Sequence, residues 1–396
     1  MPAASAPQAP GRTTSPGILR RKVVYVSDLL GAHDYRILSR MRANGHTVTL
    51  VTCIADIDRK NFEVSGYDVR RIPGLDIRHR VDLAGGRGWA LLARRTAFLR
   101  AVLREVNPDV LYAGWVQTSG LISVLSGFHP LLMMPYGSDV LLEPYTTRRA
   151  RWLASAILRR ADLVTVDADV MKEAILSYTG LPSEKVVMVP WGADLDRYGL
   201  DYDAEACKRS MGWSGRKVVL KNRTLRPVYG YPEFLKAMAV VAKSVPELLV
   251  VICSDGPQET ELRALAATLG IAEKCVWTGY TDAETFRTAL RACDVYVNAA
   301  HSDGASVSLQ EAIASAKAMV VSDIQAPRQF LVPEENALFF GLGDADALAA
   351  QTLRILSDRG LQSRLETALR GYDRSVIDGD RRIDQILALF DGLVRA

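Results

Sequence analysis

Residues 301–327 read H-S-D-G-A-S-V-S-L-Q-E-A-I-A-S-A-K-A-M-V-V-S-D-I-Q-A-P, a small polar turn followed by apolar residues at helical spacing. The apolar, β-branched run at 294–298 predicts a buried strand just before this segment. Gly304 lies in the turn, the helix is predicted to begin at Ser308, and residues 318–321 predict a second strand. A strand, turn, helix and strand in this order place the helix N-terminus at the carboxyl edge of a parallel sheet.

Such a helix N-terminus suits a diphosphate, because its first amides are unpaired and its dipole end is positive. Two acids flank this position with seven residues between them, Asp303 in the turn and Glu311 in the helix. Carboxylates repel phosphate but accept hydrogen bonds from hydroxyls, and a ligand that carries both groups is a nucleotide sugar. Taken singly, Glu311 could be a surface helix acid and Asp303 a turn former. Their pairing favours a binding site.

The segment resembles the donor-binding signature of retaining glycosyltransferases of the GT-B fold, specifically glycosyltransferase family 4. That signature has two acids separated by seven residues, then E-A-(small)-A-x-G and a V-V-x-S-D strand. Here Asp303 stands where Glu is usual, Lys317 where Gly is usual, and Ser306-Val307 in place of a Pro-containing turn. The resemblance implies an α/β chain with two Rossmann-like, doubly wound domains that face each other across a cleft.

The resemblance covers residues 22–396 and is strongest over 217–360. With the Ala/Pro/Ser/Thr-rich composition of the first residues, it predicts a division of the chain into a tail, two domains and a returning helix. These segments are a disordered tail at 1–18, an acceptor-side domain at 19–196, a nucleotide-sugar-binding domain at 197–376, and a helix at about 377–396 that crosses back onto the first domain.

A cation for the diphosphate is expected after the strand predicted at 217–220. In the family this strand leads into G-R-(four residues)-K-G. Here Arg223 falls on the Arg position, and Tyr229, which precedes Gly230 and follows Arg223 after five residues, stands where Lys is usual. A guanidinium can neutralise a leaving diphosphate bidentately, although an ordinary surface ion pair is the alternative. Arg226 and Lys221 are candidates to replace the missing lysine.

The resemblance also implies the remaining donor contacts. Glu311 would bind the ribose hydroxyls, Asp303 the sugar hydroxyls, and the turn at Gly279 and Tyr280 the nucleobase. The diphosphate would meet the backbone amides of one turn and helix start, which comprise Gly304, Ser306, Val307, Ser308 and Leu309.

Two residues are candidates for the acceptor side of the reaction. Asp139 closes a P-Y-G-S-D loop that the family places at the cleft, with Tyr136 where a His is common; a helix cap is the alternative role. His33 lies in the loop after the first predicted strand, and a surface imidazole that caps a helix is its alternative. Both residues are therefore predicted on the catalytic list together with Asp303 and Arg223.

Composition is that of an ordinary globular protein, with 48% hydrophobic and 24% charged residues and a net charge of +4. Residues 1–200 carry 26 Lys and Arg against 19 Asp and Glu, so the first half is about +7 and the second about −3. The basic half suggests peripheral contact with anionic lipid through a basic helix at 85–106 and the arginines between 148 and 160. Nucleic acid is disfavoured, because no aromatic-basic reading motif accompanies the charge.

Five cysteines without C-x-x-C spacing indicate reduced thiols and a cytoplasmic protein, with an inner-membrane face as a further location. Neither the histidines nor three D-x-D triplets, at 56/58, 167/169 and 344/346, are read as metal ligands; the triplets are read as caps or surface acids. No apolar run is long enough to span a bilayer. No metal and no cofactor other than the donor are predicted.

The sequence therefore predicts a retaining, metal-independent glycosyltransferase that moves a sugar from a UDP- or GDP-sugar to a glycan, lipid-linked or small-molecule acceptor. Two alternatives remain open. One is a GT-B subunit that binds a nucleotide sugar without turnover, which the departures at Tyr229 and Lys317 motivate. The other is a nucleotide-sugar epimerase of the same fold.

Overall fold

The computed structural model describes residues 18–27, 31–52, 67–72 and 86–395, so most of the predicted tail lies outside the described residues. The chain divides into two compact units. The first takes residues 1–166, 172–189 and 380–396, and the second takes 167–171 and 190–379. Apart from the short segment 167–171, the chain thus passes from the first unit to the second after residue 189 and returns after residue 379.

The first unit contains a seven-stranded, wholly parallel sheet with strand order β3-β2-β1-β4-β5-β6-β7. Its strands are β1 (Lys22–Ser27), β2 (Thr47–Thr52), β3 (Asp68–Arg71), β4 (Val110–Gly114), β5 (Leu131–Met134), β6 (Leu163–Val166) and β7 (Val186–Met188). Its helices are α1 (Ala32–Ala43), α2 (Gly86–Val106), α3 (Leu121–Ser126), α4 (Ser138–Leu141), α5 (Arg148–Leu158), α6 (Asp169–Thr179, whose first three residues group with the second unit) and the C-terminal α14 (Gly379–Arg395).

The second unit contains a six-stranded parallel sheet of order β10-β9-β8-β11-β12-β13. Its strands are β8 (Lys217–Lys221), β9 (Leu248–Ile252), β10 (Cys275–Trp277), β11 (Val295–Asn298), β12 (Met319–Ser322) and β13 (Leu338–Phe340). Its helices are α7 (Ala204–Ser210), α8 (Tyr231–Ser244), α9 (Glu259–Thr268), α10 (Ala283–Ala292), α11 (Val307–Ala314), α12 (Ala345–Ser357) and α13 (Arg359–Arg370).

Both sheets confirm the doubly wound, Rossmann-like fold class. The central strands are continuous apolar runs, such as Leu-Leu-Val-Val-Ile in β9, and all five of its residues are buried. Strands of this kind belong to parallel sheets that helices cover on both faces. The strand order reverses between β1 and β4 in one sheet and between β8 and β11 in the other. Ligands of open α/β sheets bind at such reversals, outside the carboxyl ends of the strands.

Helix α2, predicted as a basic helix, has a narrower basic face than its arginine content indicates, because Arg95 is buried while Trp89 is 58% exposed. The polar segment after Asp194 contains α7, and Asp203 caps the amides of Glu205 and Ala206 at its start. Among the described residues, no helix is both long and apolar enough to cross a membrane.

The C-terminal helix α14 packs within the first unit. Phe390 is fully buried, with its ring centroid 6.0 Å from that of His46 and 5.9 Å from that of Tyr112. At the edge of this contact the Arg40 guanidinium donates to Asp384 at 2.7 Å from Nε. An apolar centre with a charged rim fixes both the depth and the register of the helix.

Replacing Phe390 by Ala should lower the free energy of unfolding by about 3–5 kcal/mol, because a large aromatic side chain is lost from a closed core. Urea denaturation followed by circular dichroism measures the change. Gln385→Ala, at an exposed position of the same helix, should change it by less than about 0.5 kcal/mol. Equal effects of the two substitutions would show that α14 does not contribute to the core.

Candidate active site

An ion pair occupies the reversal point of the second sheet. Arg223 follows β8 and Asp303 follows β11, and Arg223 Nη2 lies 2.7 Å from Asp303 Oδ1. Both side chains are mostly buried, with 19% and 10% of their surface exposed. The neighbouring guanidinium opposes the effect of burial, which raises the pKa of Asp303. The two residues predicted for phosphate and sugar contacts are thus brought together, and each orients the other.

The same ion pair leaves hydrogen-bonding capacity unused. Arg223 Nη1 donates to Ser306 Oγ at 3.2 Å and Nη2 also donates to Tyr229 Oη at 3.0 Å. Arg223 Nε and Asp303 Oδ2 are buried and have no partner among the described residues. An unmet donor and an unmet acceptor on the two partners of one ion pair match a ligand with an anionic and a hydroxyl part.

The aromatic ring of Tyr229 takes the place of the lysine that the family pattern has at this position. It packs against the Arg223 guanidinium, with 4.4 Å from Arg223 Cζ to the ring centroid. Lys317, the other unusual residue, is buried, and its Nζ donates to the carbonyl of Arg291 at 3.1 Å. Tyr229 therefore helps to orient Arg223, and the ammonium of Lys317 is satisfied by a backbone carbonyl.

Helix α11 begins one residue earlier than predicted, with Ser306 as N-cap. Ser306 Oγ accepts from the amide of Leu309 at 3.4 Å, and the amide of Ser306 itself donates to the carbonyl of Gly304. The amides of Val307 and Ser308 have no acceptor in the part of the chain that the structure describes. Of the predicted anion-binding amides, these two remain available at the positive end of the helix dipole.

The structure places the remaining predicted donor contacts in the same unit. Glu311 is half-buried on α11 and hydrogen bonds with Tyr198; burial first, and then the charge of Glu311, raise the pKa of that tyrosine. Gly279 adopts a positive φ of 68° in the turn after β10, where the hydroxyls of Thr278 and Thr281 lie 2.7 Å apart. Tyr280 is 57% exposed. These positions are compatible with the predicted ribose and base contacts and leave them as predictions.

Asp167 was predicted as a helix cap or surface acid, and this was wrong. The residue groups with the second unit, is 2% exposed, and its Oδ2 accepts from the amide of Ala305 at 3.1 Å. Burial, and then the charge of Asp303, raise the pKa of Asp167 to about 7. A Cβ on Gly304 would lie only 2.5 Å from Asp167 Oδ1, so any larger residue there would have to displace this carboxylate. Asp167 therefore helps to set the backbone that carries Asp303.

The other D-x-D triplet within the described residues fits its prediction, since Asp344 caps α12.

In the first unit a buried carboxylate occupies the corresponding reversal point. Asp34 Oδ1 accepts from Tyr25 Oη and Tyr136 Oη, each at 2.6 Å, and Oδ2 accepts from the amide of Gly31 at 2.7 Å. His33 Nε2 lies 3.0 Å from the same Oδ2. Despite burial, the histidine and these donors lower the pKa of Asp34 to about 2. The predicted acceptor-side histidine is thus held against a permanent negative charge.

Asp139, the other residue predicted for the acceptor side, accepts hydrogen bonds from backbone amides. Its Oδ1 accepts from the amides of Tyr136 and Gly137, each at 2.9 Å, and its Oδ2 from the amide of Val116 at 3.0 Å. It is fully buried, which raises its pKa to about 6. These contacts are not those of an N-cap, because Gly137 is the N-cap of α4 and no side chain caps that helix; a contact of Asp139 with sugar or acceptor stays a prediction.

No group of three or more His, Cys, Asp or Glu side chains suited to a metal ion occurs within residues 18–27, 31–52, 67–72 and 86–395.

Comparison with known proteins gives matches to both units. The model described as "Glycosyl transferases group 1" matches residues 204–371, and the "Glycosyl transferase 4-like domain" model matches residues 31–192. A phosphatidyl-myo-inositol mannosyltransferase of Mycolicibacterium smegmatis is 32% identical over 169 residues, which cover 41% of this chain and 43% of that protein. The chain belongs to the GT-B glycosyltransferases of family 4.

Further relatives agree with this assignment. The mannosylfructose-phosphate synthase of Agrobacterium fabrum is 26% identical over 246 residues, 60% of this chain and 54% of that protein. The matches thus span about half of the length of these relatives. Anabaena HepE, solved in complex with UDP-glucose, superimposes with a TM-score of 0.78 at 16% identity, covering 94% of this chain and all of HepE. At that identity the superposition shows the fold of this GT-B protein and no more.

Sequence reasoning missed three features of this family 4 protein. Asp167 and Asp34 are buried acceptors that no motif marks, since their partners are distant in the chain or lie on other elements. Tyr136 was noticed only as a replacement for His. The third feature, the fully buried Lys221 at the end of β8, was considered only as a possible substitute cation. A charged residue closing an apolar strand is the one signal that pointed to it.

Asp34→Asn should lower the free energy of unfolding by about 2 kcal/mol near pH 7, because the carboxylate is stabilised in the folded state relative to the unfolded one. A depressed pKa contributes stability above the unfolded value, and that stability is lost as the pH falls through the folded value. The difference from the wild type should therefore persist from pH 8 to 5 and shrink from pH 4 towards 2, as measured by urea denaturation. Glu184→Gln, at an exposed site of the same unit, serves as control. A difference that does not shrink in acid would contradict the assigned ionisation.

Proposed function

We propose that this protein is a retaining, metal-independent glycosyltransferase that uses a UDP- or GDP-sugar as donor. The observation that carries the proposal is the Arg223–Asp303 pair beside the N-terminus of α11, at the reversal point of the second sheet. Arg223 and the amides of Val307 and Ser308 would bind the diphosphate. Asp303 Oδ2 would accept from a sugar hydroxyl, and Glu311 from the ribose.

The reaction breaks the bond between the sugar and the diphosphate, and negative charge grows on the departing diphosphate. Asp303 and Tyr229 hold the Arg223 guanidinium in place, so it need not reorganise as this charge develops. One preorganised donor of this kind lowers the activation free energy by about 3 kcal/mol. The proposal includes no protein nucleophile and no metal. The departing phosphate would take the proton of the acceptor hydroxyl as that oxygen forms the new bond on the face that the leaving group vacates.

The names of relatives support a choice among donors and acceptors without deciding it. Two relatives are phosphatidylinositol mannoside enzymes, and one of these is named as GDP-mannose-dependent. Two others act in lipopolysaccharide core biosynthesis, and the HepE structures contain UDP, UDP-glucose or glucose. A lipid-linked acceptor at the cytoplasmic face of a membrane is accordingly the acceptor class that we favour.

Arg223→Ala should abolish the thermal stabilisation that a UDP- or GDP-sugar gives the wild-type protein, and should reduce transfer by about a hundredfold or more. A thermal-shift panel of UDP, GDP, UDP-glucose and GDP-mannose measures binding, and product analysis by NMR measures transfer and the retained anomeric configuration. Arg223→Lys keeps the positive charge but loses the planar, bidentate guanidinium, so it should retain part of the donor-induced stabilisation and part of the transfer activity.

Arg359→Ala, which removes an exposed arginine of α13 in the same unit, serves as the matched control. No stabilisation by any of the four ligands, or stabilisation that Arg223→Ala leaves intact, would contradict the donor site. Binding without transfer across a panel of acceptors would favour the non-catalytic alternative. Transfer that stops when EDTA is added would contradict metal independence.

A basic surface on the first unit supports the membrane-facing part of the proposal. Helix α5 exposes Arg148, Arg149 and Arg151, and Trp152 beside them is 71% exposed. The Arg151 guanidinium also stacks on the ring of Tyr145, which is 49% exposed, at 4.8 Å. Arginines with adjacent exposed aromatic rings suit the headgroup region of an anionic bilayer.

Trp152→Ala combined with Arg149→Ala should weaken binding to vesicles of phosphatidylglycerol and phosphatidylcholine by about tenfold, since an interfacial ring and a cation are lost. Cosedimentation at low and at 0.5 M salt measures this, and high salt should weaken wild-type binding too. The control is Lys236→Met, an exposed lysine of the second unit. Equal binding of all three proteins would remove α5 from the membrane contact.

A further inference from the structure

Lys221 is an unusual residue for the end of a core strand. It closes β8, its side chain is fully buried, and its Nζ has no hydrogen-bond partner among the described residues. The rings of Tyr231 and Phe234 lie 4.8 Å and 5.8 Å from Nζ. Aromatic faces attract an ammonium, but they replace only part of its hydration. A nearby anion would therefore stabilise the charged form of this lysine.

The charges around Lys221 come from three different elements. Arg223 follows the same strand, Asp303 follows β11, and Glu233 lies in the first turn of α8. Glu233 Oε2 is itself without a hydrogen-bond partner in the described structure, at 3.7 Å from His301 Nε2. Burial first, and then Arg223, lower the pKa of Lys221 to about 7, whereas Asp303 and Glu233 act in the opposite direction. Near neutral pH the amine is poised between its two forms.

The same surroundings change when a diphosphate approaches Arg223. The anion offsets the repulsion between the guanidinium and the ammonium, and it adds negative charge in a region of low dielectric constant. Tyr229 supplies a ring and a hydroxyl to Arg223 but no second positive charge. Of the two candidates for a further cation, Arg226 is exposed, whereas Lys221 is buried and its charge interacts with that of Arg223.

We propose that Lys221 is a second, buried cation of the diphosphate site and that it becomes protonated as the donor binds. This inference rests on the donor site proposed above and extends it. The proton comes from solvent, no covalent bond changes, and the amine becomes an ammonium that stabilises the bound diphosphate and the charge that grows on it during transfer. Donor affinity should consequently be linked to pH through one residue that need not touch the ligand.

Isothermal titration calorimetry of the whole protein with UDP-glucose and with GDP-mannose, in buffers of different ionisation enthalpy, tests this proposal. Neither ligand has a terminal phosphate monoester, the group that titrates near pH 6. Uptake of roughly half a proton per donor at pH 7, and of more at pH 8, is expected for the wild type. Its affinity should fall about fivefold between pH 7 and 8.

Lys221→Met should bind the donor about tenfold more weakly at pH 7, with no proton uptake and little dependence on pH. Lys236→Met, which removes an exposed lysine of α8, should behave like the wild type. Thermal melting checks that Lys221→Met is folded. Should it not fold, the wild-type proton count decides the matter alone.

Binding without proton uptake by the wild type overturns the role of Lys221 and leaves the donor site standing. Uptake that persists in Lys221→Met also overturns it, and His301→Gln then tests the nearest alternative acceptor of the proton. Failure of both donors to bind contradicts this inference and the proposed function together.

Discussion

The ion pair between Arg223 and Asp303 is the interaction on which the second unit's site depends. It joins the loops after β8 and β11, the two strands between which the sheet order reverses. Each partner needs the other, because either charge alone would be buried without compensation. The pair nevertheless leaves Arg223 Nε and Asp303 Oδ2 without partners in the described structure. A fully satisfied pair would be a structural element only, whereas this one retains donors and acceptors for a ligand.

The two units apply the same principle with opposite charges. In the second, a guanidinium and the start of α11 gather positive charge. In the first, Asp34 gathers hydrogen bonds from Tyr25, Tyr136 and Gly31 around a carboxylate. Both arrangements lie after central strands of parallel sheets, where backbone and side chains converge at a reversal of strand order. The first positions the side chains next to His33, and the second positions the groups of the proposed anion site.

Much of this architecture could be predicted from the sequence. The parallel sheets follow from apolar strand runs, and Asp303, Arg223 and Glu311 follow from the spacing of a motif. The pairings could not be predicted, because they join residues far apart in the chain: Arg223 and Asp303 are 80 positions apart, and Asp167 and Ala305 are 138 apart. Asp167 was misread because an acid after a strand has the local appearance of a cap. Burial, which changes its chemistry, is decided by packing that no local pattern contains.

Diphosphate binding by Arg223 and the start of α11 can be seen in a crystal structure of the protein with UDP-glucose or GDP-mannose. We expect phosphate oxygens within hydrogen-bond distance of the Arg223 guanidinium and of the amides of Val307 and Ser308, with Asp303 Oδ2 accepting from a sugar hydroxyl. A bound donor whose diphosphate lies away from α11 and makes no contact with Arg223 or Asp303 would contradict this assignment of the diphosphate site.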